Sequence, residues 1–209
     1  MIIAVDGPAA SGKGTIAKAL AQHFGLPFLD TGLLYRAVGV SVLRAGGDPE
    51  NADDALTACG FDEALLGDPA LRTAEAGEAA SKASVHPAVR AALLKRQQDF
   101  ARQPGGAVLD GRDIGTVIAP EAEAKLFVIA SARVRAERRL KELGRPLDAA
   151  SIAAYQAEIE ARDARDMGRA DAPMRAADDA LLLDTSDLTI DAAVQQAIRL
   201  VETRISRQR

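Results

Sequence analysis

The strongest constraint on how this chain can fold lies in its first fifteen residues. Ile2-Ile3-Ala4-Val5-Asp6 reads as a buried strand, and it runs straight into Gly7-Pro8-Ala9-Ala10-Ser11-Gly12-Lys13-Gly14-Thr15, a Gly-x-x-x-x-Gly-Lys run. The glycines open backbone conformations closed to other residues, so successive amides can curl around a polyphosphate. Lys13 reaches the terminal phosphates, and the following helix aims its N-terminus at them. That helix carries an apolar face, Ile16, Ala17, Leu20 and Ala21, which needs a sheet to pack on. Strand, loop and helix in this order point to a user of nucleoside triphosphates.

Four further short apolar segments read as strands: Pro27-Phe28-Leu29, Ala107-Val108-Leu109, Leu126-Phe127-Val128-Ile129-Ala130 and Leu181-Leu182-Leu183. They run apolar without alternation, as strands covered on both faces do, and helical stretches lie between them. The expected fold is α/β, a parallel sheet of about five strands wound with helices on both faces. Several segments end in a polar residue, namely Asp6, Asp30, Asp110, Ser131 and Asp184, at the edge where such sheets bind ligands. Two long intervals interrupt the alternation. One is helical and alanine-rich; the other, Arg133 to Arg175, carries nine arginines interleaved with acids. The expected organisation is one domain, 1–209: a core of about 1–43, 103–132 and 176–209, a helical excursion over 44–102 and an arginine-rich lid over 133–175.

With 48% hydrophobic residues, 209 residues suffice for one substantial core. The net charge of −4 opposes a nucleic-acid partner, which needs a dense basic field to displace counterions. A single cysteine, Cys59, permits no internal disulfide and suits a reducing compartment. No run of about 18 apolar residues appears, and the chain enters a strand and a phosphate loop where a leader would stand. A soluble cytoplasmic protein is expected, without membrane attachment and, by default, a monomer.

Two glycine-rich charged segments follow strands: Asp30-Thr31-Gly32-Leu33-Leu34-Tyr35-Arg36-Ala37 and Asp110-Gly111-Arg112-Asp113-Ile114-Gly115-Thr116. A strand-end carboxylate at Asp110 suits Mg2+ held through water beside a loop-bound nucleotide. Ser151 reads as the cap of a helix running to about Met167, with Ile152, Tyr155 and Ile159 on one stripe. Arg162, Asp166 and Arg169 then fall at i, i+4 and i+7 on one face, with Arg165 adjacent. Phosphoryl transfer needs cations on the equatorial oxygens, which arginines on a closing lid supply while excluding water. Arg135, Arg138 and Arg139 extend that supply.

The loop departs from the general pattern at Gly14, where Ser or Thr usually follows the lysine. Gly-Lys-Gly-Thr resembles the nucleoside monophosphate kinase version, which leaves Thr15 as the hydroxyl near Mg2+. The loop and Asp-Thr-Gly-Leu-Leu-Tyr-Arg, Asp-Gly-Arg-Asp-Ile-Gly-Thr and Arg-Asp-Ala-Arg-Asp-Met-Gly-Arg stand in the order seen in bacterial cytidylate kinases. The resemblance covers essentially the whole chain. It implies transfer of the ATP γ-phosphoryl group to CMP or dCMP in pyrimidine nucleotide metabolism, with ATP as donor and Mg2+ as cofactor.

By that resemblance, Gly7 to Thr15 hold ATP, Asp113 and Arg90 read cytosine with Ser81 assisting, and Thr31, Arg36 and Arg112 lie near the acceptor. Arg162, Asp166 and Arg169 contact the monophosphate and its ribose. Lys13, Arg112, Arg138, Arg162 and Arg169 form the expected catalytic cations, with Asp113 beside them; Asp110 or Asp113 orients the acceptor. Cytosine offers an amino donor at N4 and acceptors at N3 and O2, so a carboxylate and an arginine suit it. Longer relatives carry a β-containing insert that is largely missing around Gly60 to Leu71. Kinases for UMP, AMP or shikimate are the nearest alternatives, although the Asp-Gly-Phe-Pro-Arg of adenylate kinases is absent. A nucleotide-switch GTPase would need Asn-Lys-x-Asp, also absent, and a non-catalytic ATP-binding scaffold sits poorly with the lysine and arginine rows. His23 and His86 read as structural.

Overall fold

The computed structural model describes residues 1–207. Five parallel strands, β1 (Ile2–Asp6), β2 (Phe28–Asp30), β3 (Ala107–Gly111), β4 (Ala124–Ile129) and β5 (Leu181–Asp184), form one sheet in the order β2-β3-β1-β4-β5. The continuous apolar run of β1 is explained by its two coats. Ile3 and Val5 pack against helix α1 (Lys13–Phe24) and helix α8 (Ile190–Ser206), while Ile2 and Ala4 face Ala101, Ile114 and Ile118 on the other side. Each fully buried Ile or Val here contributes roughly 1.5–3 kcal/mol of transfer free energy. The helix face read from the sequence, Ile16, Ala17, Leu20 and Ala21, is the buried one.

Strand register decides what meets at the carboxyl edge. Asp6 lies opposite Gly111 in the β1–β3 ladder, and Asp30 lies opposite Asp110 in the β2–β3 ladder. Three segments remote in sequence, the phosphate loop, Asp30-Thr31 and Asp110 to Asp113, therefore leave the sheet side by side. Asp113 is followed by one π-helical turn, Ile114–Ile118.

Between β2 and β3 the chain is mostly helical. Helices α2 (Thr31–Arg44), α3 (Ala52–Thr57), α4 (Ala74–Ala83) and α5 (Pro87–Ala101) pack around Leu34, Val38, Ala80 and Val89. Short 3-10 turns span Ala58 to Arg72, so the interval around Gly60 to Leu71 contains no strand. Between β4 and β5 stand α6 (Ala132–Glu142) and α7 (Ala149–Met167). The buried Arg135 joins them to the sheet: it donates to Ala130 O (2.9 Å), to Ala9 O in the phosphate loop (3.2 Å) and to Asp163 on α7 (2.6 Å).

Helix α7 differs from the sequence expectation in two respects. Its cap is Asp148, whose carboxylate accepts from the Ser151 amide at 2.9 Å; Ser151 sits inside the helix and its hydroxyl also donates to Asp148. The helix ends at Met167, so Arg169 comes from the turn beyond it and not from the same helical face as Arg162 and Asp166. The histidines bridge elements: His23 meets Glu202 at 3.0 Å, and His86 meets Pro49 O at 3.0 Å just before α5. No helix among the described residues is long and apolar enough to cross a membrane.

Candidate active site

The phosphate loop is held open by backbone geometry that only its sequence permits. Gly7 has φ +146°, and a Cβ there would lie 2.0 Å from Val128 O, so any larger residue would displace β4. Ala10 also takes positive φ, 58°, a strained conformation of the kind that marks functional loops. Lys13 opens α1, so the helix N-terminus and the ammonium face the same space. Burial and the neighbouring Arg112 push Lys13 down to about 8, against the pull of Asp110 and Asp30.

Gly14 has a spatial reason. A Cβ at this position would come 3.3 Å from Asp110 Oδ2, so the place a serine would take beside the lysine is filled by a carboxylate from β3. Asp110 is 4% exposed, and its Oδ1 is buried without a hydrogen-bond partner. Burial, then Asp30, push its carboxyl up to about 7. A buried, underpaired carboxylate beside a phosphate loop fits the single-carboxylate way in which Mg2+ is held with substrate phosphates. Among the described residues there is no cluster of three or more His, Cys, Asp or Glu that would hold a metal on protein ligands alone.

From Lys13 a cleft of about 610 Å³ runs under α7 to α4 and α5. Its far wall carries Arg90 and Asp113, a buried ion pair formed between residues 23 apart in sequence. Arg90 rests on the Tyr35 ring, 5.6 Å from its centroid. Burial opposes the Arg90 charge, but Tyr35 and Asp113 outweigh it and hold the guanidinium above its usual range. Ser81 lines the same cleft, accepting from Arg165 Nε at 3.3 Å. The middle of the cleft is cationic. Arg112 donates to Asp166 at 2.8 Å, and although burial would raise the Asp166 carboxyl, Arg112, Arg162 and Arg169 hold it low. Nε of Arg162 and Nε and Nη2 of Arg169 are buried with no hydrogen-bond partner. Burial and Arg112 bring Arg162 down to about 10. Unpaired guanidinium nitrogens in such a place are costly unless an anion joins them. Thr31 donates to Asp110 O at 2.7 Å, and Arg36 is tied to Leu71 O (2.8 Å) and Thr73 O (3.2 Å) at the cleft edge.

Two expected site residues stand apart. Arg138 turns from the cleft to Thr185, donating to its hydroxyl (2.9 Å) and carbonyl (2.6 Å), while Thr185 donates to Ser11 O. Arg138 Nη1 stands against the loop, 4.0 Å from where a Cβ at Gly12 would be. Thr15 is solvent-exposed on α1. Cleft residues to which the sequence assigned no site role include Asp30, Glu78 and Tyr155. Both carboxylate oxygens of Glu78 accept from Arg165 Nη2 at 2.7 Å, which ties α4 to α7; an acid in an alanine-rich helix carries no signal of this.

A phosphate loop at the carboxyl edge of a five-stranded parallel sheet, facing an arginine-lined cleft with unpaired guanidinium nitrogens, defines a P-loop kinase. At the level of fold alone, the chain is similar to an uncharacterized protein from Eubacterium ventriosum, with a TM-score of 0.55 at 17% identity, covering 97% of this chain and 98% of that one. The chain belongs to the cytidylate kinase family, whose model matches residues 3–203. It is 56% identical over 207 residues to the cytidylate kinase of Caulobacter sp. (strain K31), covering 99% of this chain and 96% of that protein. It is 59% identical over 205 residues to that of Xanthobacter autotrophicus, covering 98% of each.

Proposed function

We propose that this kinase transfers the γ-phosphoryl group of ATP to CMP or dCMP, giving CDP or dCDP and ADP, in pyrimidine nucleotide metabolism. The observation that carries the substrate reading is the Arg90–Asp113 pair, buried at the far end of the cleft that begins at Lys13. A carboxylate for the N4 amino group and a guanidinium for N3 and O2 match cytosine; uracil would turn its O4 toward the carboxylate. Until a base enters, the two pair with each other, and Arg90 Nε is left without a hydrogen-bond partner.

Gly7 to Thr15 cradle the ATP phosphates. Lys13, Arg112, Arg162 and Arg169 supply positive charge where the phosphoryl group moves, and a loose transition state asks chiefly for such charge and alignment. Asp110 would hold Mg2+, which would supply further positive charge beside the phosphates; Thr15, on the exposed face of α1, is the second candidate ligand. Arg138, tied to Thr185 beside Gly12 of the loop, supports it from the donor side. Asp166 accepts from the ribose hydroxyls, Ser81 assists the base, and Thr31 and Arg36 border the acceptor phosphate. Residues 44–102 and 133–175 act as the acceptor-binding and lid parts over the core, joined across the cleft by Arg165 and Glu78, and their closure excludes water. The partners are small nucleotides and not nucleic acid, and the protein works as a cytoplasmic monomer.

A coupled assay with CMP, dCMP, UMP, AMP and shikimate as acceptors tests the reading. CMP and dCMP should have the highest kcat/KM; equal or better turnover of another acceptor would overturn it.

A further inference from the structure

Asp6 is the last residue of β1, directly before Gly7, and none of the roles above uses its side chain. The carboxylate is 4% exposed. One oxygen accepts from the Ile114 amide at 2.8 Å and the other from the Gly115 amide at 2.8 Å. These amides open the π-helical turn that follows Asp113, and the turn closes back on Asp113, whose carbonyl accepts from Val117 (2.9 Å) and Ile118 (3.2 Å). On the other side, the main chain of Asp6 pairs with Gly111 in the β1–β3 ladder. One residue therefore anchors both ends of a five-residue segment: Gly111 through the ladder, Ile114 and Gly115 through the side chain. Only Arg112 and Asp113 lie between the anchors.

We propose that Asp6 is a positioning residue for base discrimination: by fixing the segment on either side of Arg112 and Asp113, it sets where those side chains stand and ties them to the strand that bears the phosphate loop. This rests on the reading of Asp113 as the group that meets the base. A carboxylate is the side chain that can accept from two neighbouring amides with two separate oxygens. Burial works against its charge and pushes the Asp6 carboxyl up to about 7, while the Gly115 and Ile114 amides pull it back. The charged groups facing it are Asp113, Arg112 and Asp110, and the Lys125 stem covers the same turn at Gly115. A small apolar residue would end the strand without that penalty but would leave both amides buried and unpaired.

The test is steady-state kinetics of Asp6→Asn and Asp6→Ala with CMP and UMP, and with ATP varied separately. In Asp6→Asn the new amide group points a donor at a donor. KM for CMP should rise about tenfold and the CMP:UMP ratio of kcat/KM should fall by a similar factor, as expected for one mispaired buried hydrogen bond. KM for ATP should stay within about twofold on the same reasoning, because the loop amides themselves are untouched; Asp6→Ala should go further in the same direction. An unchanged KM for CMP and an unchanged ratio in folded Asp6→Asn, or a rise in KM for ATP that matches the rise for CMP, would overturn the inference.

Asp113→Asn is run alongside to separate two failures. If it leaves the CMP:UMP ratio unchanged, the base reading fails and takes this inference with it. If it changes the ratio while folded Asp6→Asn does not, only the role of Asp6 falls. Should the Asp6 variants not fold, amide proton spectra of the unsubstituted enzyme decide. Ile114 and Gly115 should keep hydrogen-bonded shifts and slow exchange in the CMP complex, and losing both on CMP binding would overturn the proposal.

Discussion

Asp113→Asn is the most discriminating single substitution available, because it changes hydrogen-bond polarity with little change in shape. The side chains of Asp113 and Arg90 are 8% and 6% exposed, so neither can turn to water for a partner. An asparagine has one oxygen and one NH2 group. With its oxygen on Arg90, the NH2 group faces cytosine N4, two donors together; with the amide reversed, two donors meet at Arg90 instead. One mispaired buried group costs on the order of 1–3 kcal/mol, and at about 2 kcal/mol kcat/KM for CMP falls roughly 30-fold. Uracil meets the opposite outcome, since its O4 accepts from the NH2 group while Arg90 keeps the oxygen. The CMP:UMP ratio should therefore fall by about two to three powers of ten. Folding stability should drop by only about 1–3 kcal/mol, because Arg90 retains the Tyr35 ring at 5.6 Å and Asp171 at 3.9 Å. Parallel coupled assays with the two acceptors, with a thermal melt on the same sample, measure both quantities. A folded variant whose ratio moves less than about threefold, well below one mispaired hydrogen bond, would refute the assignment of Asp113 to the base.

Two other outcomes follow from the electrostatics of the cleft. Lys13→Ala should abolish turnover with every acceptor and leave the circular dichroism spectrum intact, since the ammonium is held below its usual range by burial and Arg112 and its removal relieves a cost in the unliganded protein; a measurable rate within tenfold of the parent, far less than a central phosphate cation should lose, would refute its role. Asp110→Asn should be inactive yet more stable than the parent at neutral pH, by an amount that depends on pH. The Asp110 carboxyl is raised from 3.8 to about 7 in the folded state, so the folded protein binds this proton more tightly than the unfolded chain. The parent's stability relative to the variant is thus fully present below about pH 4 and is lost as pH rises through about 7. Urea unfolding of both proteins across this range measures the difference, and a pH-independent gap would refute the raised carboxyl.

Much of this was legible along the chain because it depends on neighbours in sequence. The loop, the helix face of Ile16, Ala17, Leu20 and Ala21, and the five apolar runs all express local periodicity and backbone demands, and each stands where it was read to within a few residues. Ser151 does not cap α7, because Asp148, three residues earlier, is an equally good cap in pattern and wins through its carboxylate. Arg169 was misplaced because spacing was extended past the point where the helix stops. Arg138 was counted with its neighbours because charge shows in a sequence and direction does not; in the fold it points to Thr185.

By itself the sequence determined that a phosphate loop follows a buried strand, that the sheet is parallel and covered on both faces, and which four motifs mark the family. These are short-range properties: glycine torsions, apolar runs and spacing along one element. Only the tertiary structure decided which charges meet. The register that sets Asp6 against Gly111 and Asp30 against Asp110 is a property of strand pairing across some 80 to 105 residues. It determines that Asp110 fills the space left by Gly14, that Arg90 finds Asp113, and that Asp6 holds the turn behind them. Burial then gives those meetings their force, because the same carboxylates and guanidiniums in water would be solvated singly and would have no need of one another.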